Sequence, residues 1–251
     1  MNRHTVSVAL LWLALTALGE LLVLRVGLFP VAAADEAVMV DRAFRVLMVL
    51  GVPVFAFVVA TLGYSVLRFR SRGQPTEDGP PVHIHRPWVV FWFAWTTALT
   101  LVVIIHPGFT GLREIRSHAA RPVDLTVQVQ GGRWFWMVTY PEQRVTTVKE
   151  LVLPVGRHVR FDVTATDVLH SFWIPAFRMK IDAVPGMVTT VSATPTQTGS
   201  FAEDAQFRLQ CAELCGLNHA DMTVPVRVVT ESEFQAWVAA QARQTRTVGA
   251  R

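Results

Sequence analysis

Charge is scarce in this chain. Only 17% of its 251 residues are Asp, Glu, Lys or Arg, against 51% that are hydrophobic. That balance is too apolar for an ordinary soluble domain. The net charge of +4 brings no nucleic-acid surface with it, because the arginines are scattered and form no basic stripe. Cysteine is scarcer still. Two residues, Cys211 and Cys215, exclude a disulfide framework and confine their chemistry to one place. A Cys-x-x-Cys-His run is missing, so no haem is expected on this chain. Internal repeats and low-complexity runs are missing too.

Long apolar runs are present instead. Val46 to Leu67 is 22 residues without a charge, enough for a helix to cross a bilayer. Trp88 to Ile105 is a second run, of 18 residues, bounded by Arg86-Pro87 and His106-Pro107. The intervening loop, 68–87, holds Arg68, Arg70, Arg72 and Arg86 against Glu77 and Asp78. A short arginine-rich loop stays in the cytoplasm. Residues 35–110 therefore form a transmembrane hairpin, and everything after His106 lies outside. Trp88, Trp92 and Trp95 fall near the inner end of the second helix, as an interfacial belt.

The segment Thr5 to Pro30 has two readings. It runs into "VAAADEA", where Ala32 and Ala34 fit a signal-peptidase pattern. Yet it is long for a signal, and it carries Glu20 and Arg25, which are costly in lipid unless paired. Residues 1–34 are either a cleaved signal peptide or an extra transmembrane helix.

From residue 122 the period changes to two, within an outer domain expected over 118–230. "VDLTVQVQ" alternates Val123, Leu125, Val127 and Val129 with polar residues, as a half-buried strand does. "RWFWMVTY", "KELVLP", "HVRFDVTA" and "MVTTVSATP" follow, separated by Gly and Pro signals. Such spacing indicates an all-β sandwich or barrel. The end of the chain, 231–251, reads as a short amphipathic helix over Glu231 to Gln241 and a tail.

Both cysteines lie in "CAELCGLNHADM", residues 211–222, which reads as a loop between "FRLQ" and "VPVRVV". Three chemistries compete for it. A Cys211–Cys215 disulfide suits an oxidising compartment but leaves His219 and Met222 without a role. A zinc site lacks the usual paired spacing, and Met is not a zinc ligand. Copper accepts thiolate, imidazole and thioether together, and a second thiolate permits two metals to be bridged. A further histidine must come from elsewhere, and His170, placed at the end of a strand in "TDVLHSFWIP", fits. His83, His85, His106, His118 and His158 have no partner at ligand spacing and read as surface or interfacial. Met137, Met179 and Met187 read as filler, and Trp136 and Trp173 as packing.

"DVLHSFWIP", "KIDAVPG" and "CAELCGLNHADM" together resemble subunit II of the haem–copper cytochrome c oxidases, over roughly residues 40 to 240. The resemblance implies a cupredoxin-like Greek-key barrel with a binuclear CuA copper centre. In that family Cys211 and Cys215 would bridge the coppers, and His170 and His219 would each ligate one. Met222 would be a weak thioether ligand, and Glu213 would contribute its backbone carbonyl. The Glu213 carboxylate would lean toward a magnesium ion shared with subunit I. Asp167 would hold the loop around His170, and Trp134 would take electrons from the donor. The implied partners are haem-bearing subunit I, subunit III, a c-type cytochrome and the lipid of a bacterial plasma membrane, with the copper domain outside. The implied activity is that of the proton-translocating cytochrome-c oxidase, with oxygen reduced in subunit I and not by this chain.

Two positions depart from the family. Trp92 stands where a glutamate that helps admit protons usually precedes Trp95-Thr96, and the proline after that pair is absent. Other readings are a copper-bearing subunit of a nitric oxide reductase and, in another class, a membrane-anchored copper carrier. A carrier needs an exposed, exchangeable site, which the aromatic surroundings of His170 argue against.

Overall fold

The structure, a computed structural model, describes residues 3–70, 73 and 84–248, the last five of these as backbone only. Most of the loop expected on the cytoplasmic side, including Arg72, Glu77, Asp78 and His83, lies outside the described residues. The chain divides into two units, residues 1–28 with 42–112, and residues 29–41 with 113–251.

The first unit is helical. α1 spans Arg3–Arg25, α2 Asp35–Arg68 and α3 Arg86–Val103. Among the described residues, three helices are long and apolar enough to cross a membrane, the third span running on to Ala119. α2 begins eleven residues earlier than its apolar run, because a charged amphipathic stretch from Asp35 to Arg45 continues the same helix. α1 and α2 are tied by polar groups that could not stay unpaired in lipid. Trp12 Nε1 donates to the Pro53 carbonyl at 2.8 Å, and His4 Nδ1 lies 2.8 Å from the Tyr64 hydroxyl. On α3, Trp92 is exposed. The helix breaks at His106, whose backbone turns extended (φ −139°, ψ 119°), as a residue before proline is pushed to do. α4, Thr110–Ala119, follows.

The second unit is built on eleven strands: β1 Leu125–Gly132, β2 Phe135–Tyr140, β3 Val145–Thr147, β4 Leu151–Pro154, β5 Val159–Ala165, β6 His170–Ile174, β7 Met179–Ala183, β8 Thr189–Ala193, β9 Gly199–Ser200, β10 Arg208–Cys211 and β11 Thr223–Val229. One sheet has the order β3-β2-β1-β5-β8, the other β4-β11-β10-β6-β7, with β9 on β11. β1 pairs with β5 in parallel, and β11 with β4 likewise, while the rest are antiparallel. This is a cupredoxin-like Greek-key sandwich. Alternation puts Val159, Phe161 and Val163 of β5 inward, against Trp136, Tyr140, Phe172 and Leu209. The Tyr140 hydroxyl donates to the Val152 carbonyl and accepts from its N–H, at 2.8 and 2.9 Å. That pair pins β2 of one sheet to β4 of the other. Burial raises the Tyr140 pKa far above the usual phenol range, so the hydroxyl keeps its proton.

Three expectations change. His170 begins a strand instead of ending one, because β6 pairs with β7 from His170 opposite Ala183 onward. His158 is buried, not superficial: it enters β5 with its N–H on the Asp124 carboxylate and its Nδ1 3.0 Å from the Thr194 hydroxyl. The final helix, α5, runs Glu231–Val248. A capping box starts it, with the Thr230 N–H donating to Glu233 at 2.8 Å and the Glu233 N–H returning to the Thr230 hydroxyl.

Candidate metal centre

The antiparallel pairing of β6 with β10 sets Cys211 opposite Phe172, one step from Gln210 opposite Trp173. His170 and Cys211 thus come from adjacent strands, and the remaining candidates come from the loop that follows β10. That loop is closed at its neck, where the Cys211 N–H donates to the Met222 carbonyl at 3.0 Å. Ala212 N–H donates to the Ser171 carbonyl at 2.9 Å, which fastens the loop to β6. A short 3-10 turn, His219–Asp221, brings His219 back toward the cysteines.

The polar atoms converge. Cys211 Sγ lies 3.8 Å from Cys215 Sγ and 3.8 Å from His170 Nδ1. Cys215 Sγ lies 3.5 Å from His219 Nδ1 and 3.8 Å from Met222 Sδ, and Cys211 Sγ approaches the Glu213 carbonyl at 3.1 Å. The cysteines are not bonded to each other. His170, Cys211 and Cys215 are buried and offer ligand atoms all within 4.8 Å of one another. Burial, with the Cys211 thiol beside it, pushes the Cys215 thiol up to about 11. Two buried sulfurs, two imidazole nitrogens, one thioether and one carbonyl around a common space form a donor set that fits copper.

The second nitrogen of His170 is fixed from outside. Its Nε2 lies 2.9 Å from Asp167 Oδ1. The Arg133 N–H and Nε donate to the other oxygen at 2.9 and 3.1 Å, and the Val168 N–H donates to Oδ1 at 2.7 Å. Burial opposes ionisation of Asp167, but the bonds from His170, Val168 and Arg133 outweigh it and hold the carboxyl far below the usual range. An ionised carboxylate only accepts, so Nε2 carries the ring proton and Nδ1 turns its lone pair to the sulfurs.

Trp134, at the β1–β2 turn, is half-buried. Its indole lies against Gly216, where an added Cβ would meet it at 3.3 Å, and Gly216 has φ +119°. Only glycine adopts that backbone without strain. The Glu213 side chain faces solvent. Met222 is fully buried, and Met187, read as filler, is exposed.

Sequence reasoning read Trp136 as packing, which its full burial bears out, and passed over Leu214 and Leu217. Trp136 packs edge-on to His170 at 6.0 Å and donates through Nε1 to the Met222 carbonyl at 3.4 Å. Its inward place in the alternation of β2 was the available signal. Leu214 and Leu217 are 79% and 91% exposed beside the buried sulfurs. Nothing but their position in a polar loop marks them.

Comparison with known proteins agrees with this geometry. Residues 143–229 match the family described as cytochrome C oxidase subunit II, periplasmic domain. The chain is 30% identical over 260 residues to cytochrome c oxidase subunit 2 of Synechocystis, covering 86% of this chain and 76% of that one. It is 31% identical over 220 residues to the probable cytochrome c oxidase subunit 2 of Rickettsia bellii, covering 78% and 76%. The crystal structure of the periplasmic domain of subunit II of cytochrome oxidase of Bradyrhizobium japonicum is 34% identical, with a TM-score of 0.46, over 49% of this chain and 97% of that one. A likeness that runs through most of the length of full-size relatives, and whose family match spans the strands and loop carrying the thiols, places this chain in the cytochrome c oxidase subunit II family.

Proposed function

We propose that this chain accepts single electrons from a c-type cytochrome at a binuclear copper centre and hands them to a haem-bearing partner subunit, which reduces oxygen to water and pumps protons. The observation that carries the reading is the convergence of two buried sulfurs, 3.8 Å apart, with Nδ1 of His170 and His219. Cys211 and Cys215 would bridge as thiolates, His170 and His219 would ligate one metal each, and Met222 and the Glu213 carbonyl would be weak ligands. Bound copper supplies a one-electron carrier whose charge two nuclei share.

The protein residues do the rest. Asp167 holds the His170 tautomer. Trp136, Phe172 and the Met222 side chain exclude water, so that little reorganisation accompanies a change of charge. Trp134, packed on the ligand loop, is the route for an arriving electron. The solvent-facing Glu213 carboxylate is free to meet a magnesium ion shared with subunit I, and subunit III completes the partner set. The β domain lies outside a bacterial plasma membrane, which the apolar helices cross.

The experiment is metal analysis of the purified complex together with its electron paramagnetic resonance. Two coppers per chain here, with hyperfine splitting from both nuclei, are expected. One copper, or zinc in cells replete in copper, overturns the assignment. Identifying the haem subunit that copurifies decides between oxygen and nitric oxide as acceptor.

A further inference from the structure

The stretch between α1 and α2 is not a linker. Residues 29–41 belong to the β unit. Ala33, Ala34 and Ala37 are fully buried in its core. The backbone is paired on both sides: Ala33 N–H donates to the Ala176 carbonyl at 2.9 Å, and Thr196 N–H donates to the Ala33 carbonyl at 2.9 Å. Asp35 N–H donates to the Thr194 carbonyl at 3.1 Å, and Ala34 bridges to Pro195. Glu36, 8% exposed, accepts from Thr194 N–H at 2.9 Å.

Arg178 fastens the same stretch. It follows the Pro175–Phe177 turn after β6, and its guanidinium donates to both Asp41 oxygens at 2.9 and 3.2 Å. It also donates to the carbonyls of Val31 at 3.0 Å and Pro30 at 2.7 Å. Arg178 and Asp41 side chains are 13% and 15% exposed, so this forked pair is partly withdrawn from water and stronger than a surface one.

We infer that residues 30–41 are a permanent strap of the β domain and that α1 stays in the mature protein as a third membrane span. The Ala32-Ala33-Ala34 run reads as a cleavage motif, but a cut after Ala34 would remove the strap's own Ala33 pairings. It would also strip Arg178 of the Pro30 and Val31 carbonyls. α1 runs for 23 residues, enough to span. α2, at 34 residues, is about 51 Å long. It exceeds a hydrocarbon core of about 30 Å, which leaves its first turns free to join the β domain.

The test is the intact mass and N-terminal sequence of the chain purified with its partners from its own membrane. A chain that retains residues 1–34 is expected. A mature N-terminus at Asp35, or anywhere from 31 to 36, overturns the inference. Protease added from the β-domain side of intact membranes gives a second readout. Residues 29–41 should resist in the wild type and be cut roughly tenfold faster in Arg178→Ala, whose strap opens locally. Equal cutting in both overturns the strap.

Discussion

Asp167 Oδ1 and His170 Nε2 meet at 2.9 Å, and the same carboxylate receives the N–H and Nε of Arg133. One charge therefore orients the ring of a candidate ligand and the turn that carries Trp134. Asp167→Asn keeps the size and removes the charge. Copper should still bind, but its retention against a chelator should fall roughly ten- to hundredfold, the usual cost of losing such a partner. Retention equal to wild type would make Asp167 a packing residue only.

Cys215 Sγ touches three candidate donors, from Cys211, His219 and Met222. Cys215→Ser should leave one copper and a mononuclear spectrum. Met222→Leu should keep both coppers and shift the reduction potential, because an axial thioether tunes a metal more than it holds it. Metal content and spectra of the two variants, side by side, check the pair of outcomes.

Leu214 and Leu217, exposed on the loop whose Gly216 lies against Trp134, would offer apolar contact to a donor. From Asp124 to Cys215 the chain has nine acidic and eight basic residues, so little net field steers a charged donor. Trp134→Ala and Leu217→Asp should each slow electron uptake by roughly tenfold or more, as loss of a central interface residue does, with the copper spectrum unchanged. The wild-type rate should depend weakly on salt. Stopped-flow kinetics with a c-type cytochrome provides both numbers, and a steep salt dependence would move the docking point to charges elsewhere.

The metal-free protein should be sensitive to alkali. Cys215 is raised from 9.0 to about 11 in the folded state, so folding binds its proton more tightly. The associated stability is fully present below pH 9 and is lost as pH rises from 9 toward 11. Thermal melting of the metal-free wild type should decline through that window, and Cys215→Ser should flatten the decline. A parallel decline in both would assign the effect to other groups.

What the sequence made legible follows the range of the interactions involved. The sequence of donors from Cys211 to Met222 lies on one loop, and the alternation of β5 is local, so both are visible as spacing. The approach of His170 to that loop depends on β6 pairing with β10, some forty residues apart in the chain, and no local pattern encodes it. His158 was misread for the same reason, since its burial is set by Asp124 and Thr194 from two other segments. The extra length of α2 was hidden by charges at its start, which a search for apolar runs discards. Leu214 and Leu217 were invisible because exposure of a loop leucine is a property of the finished fold.

The neck of the ligand loop, where Cys211 N–H meets the Met222 carbonyl at 3.0 Å, separates two inheritances. Inside the closed loop, Cys215 and Met222 are buried, while Glu213, Leu214, Leu217, Asn218, Ala220 and Asp221 are exposed. Substitutions on the outward set leave the neck and the sulfurs in place. A change in what docks on this loop therefore calls only for outward side chains, and the buried donors beneath them stay untouched.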